Sequence, residues 1–570
     1  MSLRHLCLTV VICLLAALPA WSADPAWVFL SEKIDTDGHR VRWQDDSAGL
    51  DELLDLPLND RYVQAVRATG ARVRQRSRWL NAVSVTATSA QLQSLRDLPF
   101  VQDVRPVRVL RRVPDRESTN RQTAPRRLAS PSYGESFEQT AAVGAHLLHD
   151  RGVMGQGVRI ALIDAGFNWQ DHEAFAGTDI IAVHDFLNDD DDVGDELDEP
   201  VTGNEVETGQ NQHGTEVLSV VGGYDPGRLV GIAPEAEFLL AKTEDARLDE
   251  RGIERDPATE EDRWIAAIEW ADSLGAQVVN SSLGYTTFDD GTGYAYSDLD
   301  GSTALTTLAA EIAVARGIVV VVSAGNEGNT QWHYITAPAD GPGVLAVGAV
   351  HPVNASLAQF SSRGPTADGR IKPDVVAPGQ QIVTVSGLGA GAGAEPFSLR
   401  EYRRLSGTSF SAPIVSGACA LLLQLHPDWS PAQVAEALRS TATDLGPAGP
   451  DTLFGWGMID VARASGLEAI VPDHNLASAP FPNPVRGASP TVHFPLALQV
   501  AEDVSVSLFA VDGALVGGVE ARRLPPGDYS SAGLAPRWVV PTHLADGIYL
   551  YVLTSTSLRR TGKIAILRAR

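Results

Sequence analysis

The stretch Gly317-Ile318-Val319-Val320-Val321-Val322-Ser323, followed at once by Ala324-Gly325-Asn326-Glu327-Gly328, is the passage on which the fold turns. An unbroken run of β-branched residues without polar alternation predicts a strand buried on both faces, the habit of parallel sheets covered by helices. The glycine-flanked turn then sets Asn326 just past the strand's carboxyl end. Working outward, the same pattern repeats. Residues 158–164, 237–242 and 276–283 are further short apolar strands, while 213–221, 260–274 and 303–316 read as helices. In the second helix Trp264, Ile265, Ile268 and Ala271 fall on one side. Strands alternating with helices make this an α/β unit, a parallel sheet with helices on both faces, whose ligands gather at the carboxyl ends of the strands.

Three polar residues sit at such ends. Asp164 closes its strand in Leu162-Ile163-Asp164-Ala165-Gly166, His213 opens a helix in Gln212-His213-Gly214-Thr215, and Ser409 lies in Ser406-Gly407-Thr408-Ser409-Phe410-Ser411-Ala412-Pro413, ahead of an apolar helix to residue 425. Singly, a strand-terminal Asp or a Ser near a helix start is common for structural reasons. Together they supply the carboxylate, imidazole and hydroxyl of nucleophilic acyl transfer. A base takes the hydroxyl proton, and the carboxylate holds the base in the right tautomer. Asn326 is the candidate amide donor to the oxyanion. A noncatalytic binding or surface protein on the same scaffold is the alternative, one in which at least one of the four would be lost.

The order Asp, His, Ser, with separations of 49 and 196 residues, together with Gly-Thr-Ser-Phe-Ser-Ala-Pro at 407–413, resembles the subtilisin-like serine proteases over about residues 130–465. Gly231-Ile232-Ala233-Pro234, Phe360-Ser361-Ser362-Arg363-Gly364-Pro365 and the run from Lys372-Pro373-Asp374 to Pro378-Gly379 strengthen the likeness. Ala165 departs from the family's Ser or Thr and removes a hydroxyl that would support the carboxylate. The resemblance implies a secreted serine endopeptidase needing no catalytic cofactor. It also implies that Ser282-Leu283-Gly284 pairs with the substrate backbone, and that Ala324, Gly325 and the stretch 336–339 line the primary pocket.

Composition bounds the rest. Of 570 residues 44% are apolar and 20% charged, ordinary for folded protein, so a large core is expected. The net charge is −26, which excludes a general nucleic-acid binder. Residues 61–127 nevertheless carry 15 arginines against four acids, a local +11 that leaves −37 elsewhere. Strand-like residues at 81–87 and 101–109 flank a helix-like 89–98. This is a small α+β unit, similar to the propeptides of these proteases, and residues 111–132 read as an exposed, cleavable linker. Residues 179–207 hold 12 acids and no Lys or Arg. Asp189-Asp190-Asp191-Asp192-Val193-Gly194 starts like a calcium loop, but Val193 and Pro200 stand where oxygen ligands are needed. An EF-hand is rejected, and a solvated acidic insertion is favoured over a non-standard structural calcium site.

Arg4 and His5 precede a 13-residue apolar run, 6–18, and the small-residue stretch Ala20-Trp21-Ser22-Ala23, the layout of a secretory signal peptide. Cleavage after Ser22 or Ala23 fits equally, and no later run approaches the roughly 20 apolar residues of a membrane span. Cys7 and Cys13 fall in this segment, leaving Cys419 as a packing residue. The tail from Ala479-Pro480-Phe481-Pro482 to Gly547-Ile548-Tyr549-Leu550-Tyr551 has short strands at 504–511, 538–540, 548–553 and 563–567, a small β-sandwich. It is similar to the type IX secretion sorting domain of some Gram-negative bacteria, although a generic stabilising sandwich fits the same pattern. The expected organisation is a signal peptide (1–23), propeptide and processing linker (24–128), catalytic domain (129–466) and C-terminal sandwich (467–570). Expected partners are a protein or peptide substrate, the chain's own propeptide and a type IX apparatus. The expected location is outside the cell or on the surface of a Gram-negative bacterium.

Overall fold

The computed structural model describes residues 24–107, 116–117, 133–194, 212–244, 260–285, 293–386, 402–466 and 476–567, apart from short internal gaps at 35–39, 43–49, 171 and within 478–534. The expected signal peptide, residues 195–207 of the acidic stretch and most of the processing linker lie outside the described residues.

The described residues from 24 to 107 form one compact unit. Strands β1 (Asp24–Leu30), β2 (Arg72–Ser77), β3 (Ala82–Ala87) and β4 (Val101–Pro106) make an antiparallel sheet in the order β2-β3-β1-β4. Helices α1 (Asp60–Ala68) and α2 (Ser89–Arg96) contribute Val63, Val66 and Leu95 to a core shared with Val28, Val83 and Val85. Both helices start where a side chain takes up an orphan backbone donor. Asn59 accepts from the Arg61 amide at 3.1 Å, and Thr88 forms a reciprocal capping box with Gln91. The small α+β unit is therefore present, with β1, β2 and α1 added to the elements expected from the sequence.

Residues 108–570 form the second unit. Its centre is a seven-stranded sheet built from β5 (Arg159–Asp164), β6 (Asp179–Asp185), β7 (Glu237–Lys242), β8 (Val278–Ser281), β9 (Val319–Ser323), β10 (Leu345–Val350) and β11 (Val375–Pro378). The order is β11-β10-β9-β8-β5-β7-β6, and every pairing is parallel. Successive strand residues point to opposite faces. Val319 and Val321 share a core with the long apolar helix that carries Ser409, while Val320 and Val322, facing the other way, are also buried. Both faces are covered, as the unbroken valine run requires. Around the sheet stand α3 (Ala145–His149), α4 (Gln212–Gly222), α5 (Glu260–Ser273), α6 (Leu305–Ala315), α7 (Thr408–Leu425) and α8 (Pro431–Thr441). Helix α7 is long and apolar enough to cross a bilayer, but it is the buried central helix of this core. A hairpin, β12 (Ile382–Val385) and β13 (Tyr402–Ser406), leads into it.

Two residues of the expected exposed linker depart from that reading. Arg116 and Glu117 form a short strand antiparallel to β13, opposite Ser406 and Leu405. The free edge of β13 offers unpaired backbone groups, which a passing segment can satisfy without any sequence signature.

The C-terminal part holds a five-stranded sheet, β14 (Val485–Arg486), β15 (Glu502–Phe509), β16 (Leu515–Leu524), β17 (Gly547–Thr554) and β18 (Arg559–Leu567), ordered β14-β18-β17-β15-β16. Its inner residues, among them Leu508, Tyr551 and Ile564, share a separate core with Val492 and Trp538 of a two-stranded antiparallel sheet and with Phe494 just beyond it. Phe481 meets Phe137 of the catalytic part edge-on, with ring centroids 4.5 Å apart.

Candidate active site

Three adjacent strands, β9, β8 and β5, deliver Asn326, Ser282 and Asp164 to one rim of the sheet. Asp164 is fully buried. Its Oδ1 accepts from His213 Nδ1 at 2.6 Å and from the Ala165 amide at 2.7 Å. A carboxylate can only accept, so the proton sits on Nδ1 and the other ring nitrogen of the neutral imidazole is the basic one. His213 lies at the start of α4, which packs against α7, and its ring centroid is 6.0 Å from that of Phe410, the neighbour of Ser409.

Ser409 is the second residue of α7, after Gly407 and Thr408. Gly407 has an extended backbone, φ 177°, which any residue can adopt, so conformation alone does not demand glycine there. Pro413 lies four residues on and has no N–H for the Ser409 carbonyl, the bond a helix would otherwise make. Ser282 Oγ fills the gap, donating to that carbonyl at 2.8 Å, while Ser409 Oγ donates to the Ser282 carbonyl at 3.2 Å. Behind them Asn280 Nδ2 donates to Ser282 Oγ at 3.1 Å, and Ser416 Oγ donates to Asn280 Oδ1 at 2.8 Å. A buried polar chain thus ties α7 to β8. Neither Asn280 nor Ser416 carries a recognisable motif, and only the proline inside an apolar helix hinted at a carbonyl needing a partner.

Asn326 is oriented by Thr408. The Thr408 amide and hydroxyl donate to Asn326 Oδ1 at 2.9 and 3.0 Å. Because the amide N–H can only donate, the atom it meets must be the oxygen, which makes the NH₂ end the donor end of the Asn326 side chain. Ser282, Gly284, Gly325, Asn326 and Ser409 line one recess, whereas Leu283 and Ala324 are buried and are not among its lining residues. The structure therefore gathers Ser409, Asn326 and three of the five residues expected to meet substrate, with Asp164 at the end of β5 bonded to His213 on α4, the helix packed against α7.

The supporting electrostatics come from residues with no sequence signal of their own. On β7, Lys242 stands in register with Asp164 on one side and Asp185 of β6 on the other. Its fully buried ammonium is 3.0 Å from Asp185, a paired cation beside the strand that bears Asp164. Glu216, one turn past His213, is paired with Arg403 of β13, so the base-bearing helix is clamped to the strand that leads to Ser409. Among the described residues no group of three or more His, Cys, Asp or Glu is arranged to hold a metal. In the acidic stretch Asp190 and Asp192 accept from the Asp192 and Gly194 amides at 2.9 and 3.0 Å. Cys419 is buried in α7, and that burial pushes its thiol well above the usual range, so it is a packing group.

The family described as "Subtilase family" matches residues 155–457, and "Peptidase S8 propeptide domain, Bacteroidota" matches residues 41–124. Subtilisin E of Bacillus subtilis is 31% identical over 399 residues, covering 70% of this chain and 84% of that protein. Subtilisin of Bacillus pumilus is 34% identical over 326 residues, covering 57% and 96%. The solved structure of fervidolysin from Fervidobacterium pennivorans, described as a keratinolytic enzyme related to subtilisin, aligns over 96% of this chain and 78% of its own, with a TM-score of 0.54 at 20% identity, and so supports the fold.

Proposed function

The chain belongs to the subtilase family of serine peptidases and carries a propeptide of the Bacteroidota type, and on that premise we propose that Ser409, His213 and Asp164 are the catalytic residues of an exported endopeptidase. The observation that carries this reading is the 2.6 Å bond from His213 Nδ1 to Asp164, which leaves the second ring nitrogen to act as base. His213 takes the Ser409 proton as Oγ attacks the peptide carbonyl, Asp164 stabilises the imidazolium, and the proton passes to the leaving amine. Water then repeats the cycle on the acyl-enzyme. The Asn326 amide donates to the oxyanion. Losing the corresponding donor costs about 10²–10³ in turnover, a figure known for subtilisin itself rather than derived from this chain. Ser282-Leu283-Gly284 pairs with the extended substrate backbone, and Gly325 forms a pocket wall. The route needs no cofactor, and a structural calcium in the acidic stretch would stay outside the chemistry.

The family's propeptide supports a zymogen, held by the N-terminal unit until the linker is cut. Residues 1–23 direct export, and the C-terminal sandwich serves as a type IX sorting domain that delivers the enzyme outside the cell or to its surface. A fluorophosphonate probe tests the central claim: it labels the processed wild type and not Ser409→Ala, and Ser409→Ala retains its N-terminal segment by intact mass. Labelling that survives the substitution, or kcat/KM that stays flat from pH 5 to 8 instead of rising through the imidazole range, would contradict the assignment.

A further inference from the structure

The recess beside Ser409 has a free volume of about 20 Å³, room for about one water. Its narrowness has one main cause. The Thr336 side chain lies between two bare backbone walls: a Cβ on Gly284 would fall 2.2 Å from Thr336 Oγ1, and one on Gly325 would fall 2.8 Å from Thr336 Cγ2. Hydroxyl and methyl thus face opposite walls, and the side chain spans the slot. It cannot retreat, because its backbone is stitched to both strand ends. The Thr336 amide donates to the Ala324 carbonyl at 3.2 Å, and Ala337 and Tyr285 exchange hydrogen bonds of 3.0 and 3.2 Å. Thr336 is 2% exposed and its Oγ1 has no hydrogen-bond partner. A buried hydroxyl left unpaired is costly, and one lining the recess beside a nucleophile can be satisfied by what enters it.

We propose that Thr336 is the specificity-determining residue of this enzyme, and that it restricts cleavage to peptide bonds following a small side chain, Ala or Ser, with the serine hydroxyl paired to Thr336 Oγ1. The inference rests on Ser409 being the nucleophile, since the side chain of the residue bearing the attacked carbonyl must then enter this recess. A bulky aromatic or branched aliphatic group meets Thr336 before its own carbonyl can reach Ser409. The residue acts by touching substrate and takes no part in the proton transfers.

The test is cleavage of a peptide library that varies only the residue before the scissile bond, read by mass spectrometry, with kcat/KM measured for Ala, Ser, Leu and Phe. The wild type is expected to favour Ala and Ser over Phe by at least about tenfold, the scale on which steric fit discriminates. Thr336→Gly opens the slot and raises Leu and Phe relative to Ala by a similar factor. Thr336→Val keeps the volume, removes the hydroxyl and abolishes the Ser-over-Ala preference while Phe stays excluded. Faster wild-type cleavage after Leu or Phe, or an unchanged ranking in both variants, overturns the proposal. Fluorophosphonate labelling is run in parallel. Labelled Ser409 with the wrong ranking sinks this inference alone, whereas no labelling sinks the active-site reading beneath it.

Discussion

Asp164 Oδ2 is buried and accepts no hydrogen bond, while Oδ1 accepts two. The asymmetry traces to one side chain, because Ala165 contributes only its backbone amide where a Ser or Thr would also bring a hydroxyl. The departure is legible in the sequence, but its consequence, an unpaired oxygen beside the base, is a property of the folded chain. Ala165→Ser is expected to give Oδ2 a partner and stabilise the fold by about 1 kcal/mol, the usual net worth of one added hydrogen bond. That corresponds to a rise of a few degrees in thermal midpoint, measured by calorimetry on a Ser409→Ala background so that self-digestion does not intervene. An unchanged or lower midpoint would show that the serine does not reach the carboxylate.

Helix α3 presents a different kind of question, since it buries two histidines, His146 and His149, among aromatic rings. Burial pushes His146 down to about 3, with a further push from His149. His149 is also lowered by burial, against the opposing bond to the Ile232 carbonyl. Both are neutral in the folded chain at pH 7, while the unfolded chain protonates them near 6.5. The unfolded state therefore binds more protons as pH falls below 6.5, so stability is full above that value and declines until the folded group titrates, near 3 for His146. His146 alone accounts for a loss of about 2 kcal/mol between pH 7 and pH 5. Denaturant unfolding of the Ser409→Ala protein at the two values should show this loss, and His146→Leu should reduce it; an equal loss in both would remove His146 as its source. At the same scale β16 escaped sequence reading because Gly517 and Gly518 interrupt its alternation, and the register against β15 shifts between Leu508 and Phe509.

Across the whole molecule, the C-terminal sandwich and the catalytic part have separate hydrophobic cores. The Phe137–Phe481 ring contact joins them, and neither ring is among the residues lining the recess at Ser409. Ending the chain after Gly466 is therefore expected to leave kcat/KM on a small peptide within about threefold, while lowering the amount of enzyme recovered outside the cell if this part is the export address. Steady-state assays and fractionated cultures measure the two effects. A soluble, folded truncation that lost more than tenfold in kcat/KM would give the sandwich a part in catalysis that its separate core does not suggest.

What could be read along the chain was local. The valine run of β9, the apolar spacing of α5 and the residues flanking Asp164, His213 and Ser409 each depend on near neighbours, because strand burial and helix periodicity are written in residues a few places apart. Which groups meet was decided by the order of the strands. Only because β8 lies between β9 and β5 does Ser282 reach the Ser409 carbonyl that Pro413 leaves open. Only the folded backbone wedges Thr336 between Gly284 and Gly325, and only the pairing of β7 with β5 and β6 places Lys242 between Asp164 and Asp185. Such contacts join residues from 11 to more than a hundred places apart, and no local preference specifies them. They are fixed when buried polar groups must find partners in a packed interior, a condition that exists only once the sheet has formed.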